Sequence, residues 1–201
     1  YKYIKISNDV ISMVNAQEEI TDTHKGYLGQ AYAYRAMCYL DLGRLYEFKE
    51  NNYTEASEYV VGLTVPLVTE YTTEKDSKNN PRVSREELYD FILSDLEKAA
   101  DYLKNSGKTF STPTLGAVYG LYARTYLEMG YWKKGGDFDA FTNAATYARK
   151  AIETSGKTPL TQEQWTNPTT GFNSASSNNA WIWGVALSSE NLNNLLTFTS
   201  H

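Results

Sequence analysis

Residues 32–43 (YAYRAMCYLDLG) recur loosely at residues 119–130 (YGLYARTYLEMG), with Tyr32/Tyr119, Ala36/Ala123, Tyr39/Tyr126, Leu40/Leu127 and Gly43/Gly130 identical. Tyr, Ala, Tyr and Gly stand at i, i+4, i+7 and i+11, which is one stripe of an α-helix. A small residue between two large ones lets a neighbouring helix come close, and the glycine marks the helix end. The recurrence therefore predicts at least two helix-turn-helix units packed side by side. A scaffold of this kind favours binding over catalysis.

The 201 residues suit one domain with a full core. A net charge of −5 gives no basic face for a nucleic acid, so no such partner is expected. The compositional outlier is tyrosine, with 17 copies beside 4 Trp and 7 Phe. Its ring and hydroxyl serve helix packing, and also serve contact with sugars or peptides. At stripe positions the packing role is the better reading. Cys38 stands alone in the middle of a predicted helix and has no disulfide partner, so it reads as a small buried residue. No apolar run is long enough for a transmembrane helix.

Ile4, Ile11 and Val14 place a short amphipathic helix over residues 3–16. A long helix over 26–46 follows, its start lying between Thr21 and Gln30. The irregular stretch 47–82 is longer than a compact repeat needs, which marks it as an inserted or functional element. Ser84 and Glu87 form a capping box for a helix with the stripe Leu88, Ile92, Leu96, Ala99 and Leu103. Thr112-Pro113 opens the next helix, with Pro at the first helical position, and that helix runs to Gly130. Ala144, Ala148 and Ala151 line a further helix over 138–155. The last two helices read as one complete tetratricopeptide-like unit, and helix 26–46 would pair with helix 84–104 across the insertion. Trp181, Trp183, Val185 and Leu187 alternate, which predicts a short strand with one buried face.

The order of these pieces resembles the SusD/RagB family of Bacteroidetes outer-membrane nutrient-binding lipoproteins. The resemblance is carried by Gln30-Ala31-Tyr32-Ala33-Tyr34-Arg35-Ala36 with Arg44-Leu45-Tyr46, by Val65-Pro66-Leu67-Val68, and by Arg82-Val83-Ser84 with Glu87, Tyr89, Ile92, Asp95-Leu96 and Ala99. It is carried also by residues 117–131 with 144–152, and it spans roughly residues 1–190. It implies a helical scaffold with a more irregular second subdomain. It implies a lipid-anchored, surface-exposed place at the cell outer membrane. It implies capture of oligosaccharide, or peptide, for a SusC-like TonB-dependent transporter. Cys38 sits inside a helix and does not match the family's anchoring cysteine. The chain is also shorter than family members, so a fragment lacking both ends is expected.

The expected fold is thus all-α: a tetratricopeptide-like helical repeat scaffold with long irregular insertions and a short β or coil C-terminal segment. Residues 1–156 form the repeat region with an insertion at 47–83, and residues 157–201 begin a second subdomain that is truncated. The leading function is oligosaccharide capture at the cell surface, and the alternative is a repeat scaffold binding a protein or peptide. Sugar recognition needs flat rings for C–H faces and polar groups for hydroxyls, carried on loops over a rigid frame. Two loops qualify. One carries Asn51, Asn52 and Tyr53, where the resemblance would place binding residues. The other carries Trp165 with Asn167 and Phe172. Arg35, at a position usually apolar, is expected to pair with Asp95 or Glu97 of the acidic helix.

No catalytic, metal or cofactor site is expected. The histidines are His24 and the terminal His201, and no spacing nominates a triad. Asp137-Phe138-Asp139 lacks the further ligands of a calcium loop. Gly135-Gly136 has no preceding strand that would make it a phosphate cradle.

Overall fold

The computed structural model describes residues 1–49, 59–107, 109–133, 135–171 and 179–184. Among the described residues seven helices follow one another: α1 (Lys2–Asn15), α2 (Asp22–Tyr46), α3 (Glu74–Ser77), α4 (Arg85–Tyr102), α5 (Leu115–Gly130), α6 (Phe138–Ser155) and α7 (Gln162–Thr166). The fold is all-α, as the periodicity predicts. In the order of packing, α1 lies on α2, α2 on α4, α4 on α5, and α5 on α6. The core is one cluster drawn from α1, α2, α4 and α5, with Ile4, Ile11, Leu28, Tyr39, Leu40, Leu88, Tyr89, Ile92, Leu96 and Val118 at its centre.

The two helix pairs share one packing register. Gly43 ends the stripe of α2, and a methyl there would stand 2.9 Å from Leu88 Cδ2. Gly130 ends α5 and lies against the ring of Phe141. Leu88 and Phe141 are each the fourth residue of their helices. At the other end of the stripes, Gly29 meets Leu103 and Tyr102 at the end of α4, and Gly116 meets Ser155 and Ala151 at the end of α6. Each long helix thus offers a bare backbone at two points, fourteen positions apart, to both ends of an 18-residue partner. The alanine stripe position differs between the pairs: Ala36 is buried, whereas Ala123 is only half-buried. The glycines, more than the alanine, set the close approach.

Helix starts follow local chemistry. Thr21 caps α2 by accepting from the His24 N–H at 3.3 Å, and His24 Nδ1 accepts from the Thr21 N–H at 3.4 Å. Ser84 caps α4 by accepting from the Glu87 N–H at 3.1 Å, while Glu87 itself stays exposed and does not complete the predicted box. Pro113 is not the first residue of α5. The helix starts at Leu115, whose N–H donates to Ser106 Oγ at 3.1 Å, and Pro113 is a buried residue of the preceding link.

The stretch between α2 and α4 is a strap, as far as it is described. Residues 64–70 cross α1 and α2. The Thr64 N–H donates to Val83 O at 2.8 Å and the Val83 N–H to Val65 O at 3.3 Å. Tyr39 donates its hydroxyl proton to Val68 O at 2.9 Å and accepts from the Val68 N–H at 2.7 Å. Asn8 Nδ2 donates to Val68 O at 3.0 Å.

After α6, Gly156 takes a left-handed conformation (φ 63°), which glycine adopts without penalty. The tail returns through Asn179, which pairs with Thr158, Lys157 and Gly156 at 3.1 Å each. Residues 179–184 form no strand. Gly184 donates to Phe110 O at 2.8 Å, and Trp183 meets Tyr34 edge-on at 5.3 Å. Trp183 therefore works as a plug on the core. Val185 and Leu187, the rest of the predicted strand, lie outside the described residues.

Candidate functional site

Arg35 shows how this scaffold is held beneath its surface. It stands where the second repeat has Tyr122, and it is 1% exposed. Its Nε and Nη2 donate to the two oxygens of Asp95 at 2.7 and 2.8 Å, a bidentate pair. Its Nη1 donates to Asn8 Oδ1 at 2.7 Å and Glu70 Oε2 at 2.5 Å. The expected partner on the acidic helix is thus Asp95. Asn8 of α1 and Glu70 of the strap also join, and these the sequence did not nominate. Four chain segments meet on one guanidinium, which makes Arg35 a frame residue rather than a ligand contact.

The C-terminal end of α2 is the surface around the first predicted loop. Asn51, Asn52 and Tyr53 themselves lie outside the described residues. The stems of their loop are described. Phe48 bridges Val61, and the Gly62 N–H donates to Phe48 O at 3.3 Å. Arg82 spans both stems, donating to Tyr46 O at 2.9 Å, Leu63 O at 2.9 Å and Thr64 O at 2.6 Å. Two exposed tyrosines flank the loop: Tyr46 (60% exposed) before it and Tyr59 (78%) after it.

Beside the stems, Asp41, Arg44, Leu45, Lys49 and Glu128 line a cavity of about 420 Å³. Arg44 Nε pairs with Glu128 at 2.8 Å, Lys49 with Glu128 at 3.2 Å, and Arg124 with Asp41 at 3.2 Å. Aromatic rings next to paired charges are the mixture that sugar or peptide recognition requires. Tyr59, Lys49, Asp41 and Glu128 were missed in the sequence. One signal existed: Asp41 and Glu128 occupy equivalent positions in the two repeats, two residues before the helix-ending glycine. The repeat alignment alone puts both carboxylates at the same end of the bundle.

Glu47 lies buried under this surface with its side chain 1% exposed. It stands 3.5 Å from Arg85 Nη1, and among the described residues neither carboxylate oxygen has a well-formed hydrogen bond. Arg85 in turn lies over the ring of Trp132 at 5.1 Å, and Trp132 meets Tyr89 edge-on at 4.8 Å. Burial pushes the Glu47 carboxyl above its ordinary range, against the pull of Lys49 and Arg85. Between the ordinary value of the unfolded chain and the raised folded value, only the unfolded state is ionised. Stability therefore falls as pH rises through that window and stays lower above it. Glu47→Gln should raise stability at neutral pH by about 1 kcal/mol and flatten this dependence, which urea unfolding at a series of pH values will show.

The second predicted loop is separate from the first. Thr161 caps α7 by accepting from the Gln164 N–H at 3.2 Å. Trp165 is 57% exposed on this helix. Asn167 is a turn residue: its Oδ1 accepts from the Thr169 and Thr170 N–H groups at 2.9 Å each. Phe172 lies outside the described residues. Cys38 is half-buried, and burial pushes its thiol above the ordinary range. Among the described residues no group of three or more His, Cys, Asp or Glu could hold a metal ion. None of the described helices is long and apolar enough to cross a membrane.

Fold and surface together define a helix-pair scaffold, strapped by an internal segment, with aromatic and polar side chains at one end. The family model for SusD-like proteins, described as starch-binding associating with outer membrane, matches residues 1–127. The chain belongs to this SusD-like family, as the motifs imply. Solved structures agree in fold. A SusD-like carbohydrate binding protein from Bacteroides vulgatus superimposes with a TM-score of 0.72 at 23% identity, over 95% of this chain and 36% of that one. A SusD superfamily protein from Bacteroides thetaiotaomicron gives 0.72 at 18% identity, over 96% and 39%. A third structure, solved with xylogluco-oligosaccharide, gives 0.57 at 24% identity, over 80% and 29%. The chain therefore spans little more than a third of the length of the first two. No curated protein matches the sequence.

Proposed function

We propose that this chain belongs to a non-catalytic, surface-exposed binding protein. It captures oligosaccharide and hands it to a SusC-like TonB-dependent transporter in the outer membrane, where a lipid anchor would hold it. The reading rests chiefly on membership of the SusD-like family through residues 1–127. The relative solved with xylogluco-oligosaccharide supports sugar as the ligand class. We assign capture to Asn51, Asn52 and Tyr53, with Tyr46 and Tyr59 beside them, and to Trp165 as a second contact. In domain terms, residues 1–156 act as the scaffold and residues 157–201 begin a second subdomain.

The test is binding of the protein to an array of plant, host and microbial polysaccharides, with reducing-end release followed in the same wells. Binding without release is expected. Release would identify an enzyme. No binding to any glycan would favour the protein- or peptide-binding scaffold. On the glycan that binds, Tyr53→Ala and Trp165→Ala should each weaken affinity by about 1–3 kcal/mol without lowering the melting temperature. Unchanged affinity in both would remove both loops from the site.

A further inference from the structure

A second recess lies at the opposite end of α2. It has a volume of about 540 Å³ and opens between the first turns of α2, the last turn of α4 and the link that leads to α5. Pockets that hold small ligands run from roughly 300 to 1,000 Å³. With 25 residues, α2 is about 37 Å long, so this cleft and the loop stems at Tyr46 are well separated.

The lining has a consistent chemistry. Asp22 is paired with Lys25 at 2.9 Å, and Asp101 with Lys104 at 3.1 Å. Each ion pair is made within one helix end, so the cleft carries both charges but no net charge from them. The Lys25 ammonium, held mainly by Asp22, also feels the Asp101 carboxylate across the gap. Donors and acceptors thus share one space, which Gln30 lines from the α2 side. Tyr102 supplies an aromatic ring, fixed by stacking on Tyr32 at 6.2 Å. The spare ammonium N–H groups and carboxylate lone pairs of each exposed pair can bridge the hydroxyls of a neutral polyhydroxylated ligand.

Gly26 adds an independent observation. It lies inside α2 and lines the cleft, yet a methyl group there would meet nothing within 4 Å. Glycine inside a helix costs about 1 kcal/mol relative to alanine, and no packing contact accounts for it here. Three residues on, Gly29 is different, with Leu103 Cγ 2.5 Å from where a methyl would sit. A bare backbone at Gly26 leaves the wall free for close approach of a ligand.

We propose that this cleft is a second saccharide subsite, taking a short neutral oligosaccharide between α2 and α4. The proposal rests on the glycan-capture reading and extends it to the opposite end of α2. The experiment is calorimetric titration of the full chain with a xylogluco-oligosaccharide and with a malto-oligosaccharide, comparing Gly26→Leu, Gln30→Ala and Tyr53→Ala. Two binding events are expected in the parent for at least one of the sugars. Gly26→Leu should keep or raise the melting temperature and lose one event, with Gln30→Ala weakening the same event tenfold or more. Tyr53→Ala should leave that event intact and weaken the other. A single event, untouched by Gly26→Leu and Gln30→Ala but lost in Tyr53→Ala, overturns the cleft and keeps the capture reading. Loss only in the cleft variants supports the cleft and removes the loop. No binding of either sugar to the parent overturns the cleft proposal.

Discussion

Asp95→Ala is expected to cost about 3–5 kcal/mol and lower the melting temperature by about 10 °C. Asp95 supplies both oxygens of the bidentate pair to Arg35, at 2.7 and 2.8 Å. The guanidinium is 1% exposed and lies between the rings of Tyr32 and Phe91, at 5.3 and 5.0 Å. Without Asp95 it cannot reach water and keeps only Glu70 and Asn8. A buried charge left without its main partner costs far more than the intact pair contributes. Replacing the whole set should behave differently: Arg35→Met with Asp95→Leu and Glu70→Gln is expected to recover most of the loss. The second repeat already uses an apolar solution, since Tyr122 stands at the Arg35 position and stacks on Tyr147 at 4.4 Å.

The local consequence of Asp95→Ala should be seen first in the strap. Glu70 ends the strap, and Val68 is held next to it by Tyr39. Hydrogen exchange at the Val68 N–H should rise in Asp95→Ala before the helices open. A loss under 1 kcal/mol, or unchanged exchange at Val68, would show that Arg35 does not tie the strap to the helices.

What could be read in the sequence follows the range of the forces involved. Helix stripes and the cap at Ser84 depend on neighbours within one or two turns, and they lie in plain text; Thr21 and Asp137 cap α2 and α6 by the same local chemistry but were not read as caps. The pairing of Arg35 with the acidic helix was legible because a charge on a buried stripe must find its opposite. That Asn8 and Glu70 would join was not legible, because nothing local marks a polar residue on α1 or in the strap as a partner of α2. The rule that puts proline at the first helical turn failed at Pro113. There the link buries the proline, and Ser106, earlier in the same link, satisfies the Leu115 N–H. The Trp181 and Trp183 alternation gives no strand within the described residues 179–184, where Trp183 packs edge-on against Tyr34 instead. On the site side, Tyr46 stood out in the Arg44-Leu45-Tyr46 element, while Tyr59 was visible only as composition. Their grouping depends on Arg82 joining stems that lie 17 residues apart at Tyr46 and Leu63.

The shared register of the two helix pairs gives the second large effect. Gly116→Leu is expected to cost about 3 kcal/mol or more, because the obstacle is backbone rather than a movable side chain. A Cβ at Gly116 would stand 3.0 Å from Ser155 Cβ, 3.2 Å from Ser155 N and 3.3 Å from Ala151 O. The last turn of α6 would have to lift off α5, and the Gly130–Phe141 contact at the far end gives that motion a pivot. Gly120 lies one turn further along the same helix with nothing within 4 Å of its Cβ. Gly120→Ala therefore tests helix propensity without packing and should stabilise by up to about 1 kcal/mol. The same contrast holds in α2, where Gly29→Ala meets Leu103 and should destabilise while Gly26→Ala should not. Thermal melts of these four variants decide the matter. Equal behaviour of Gly116 and Gly120 would mean that α5 and α6 are not held at backbone contact. The two pairs would then share a sequence stripe without sharing the packing that the stripe encodes.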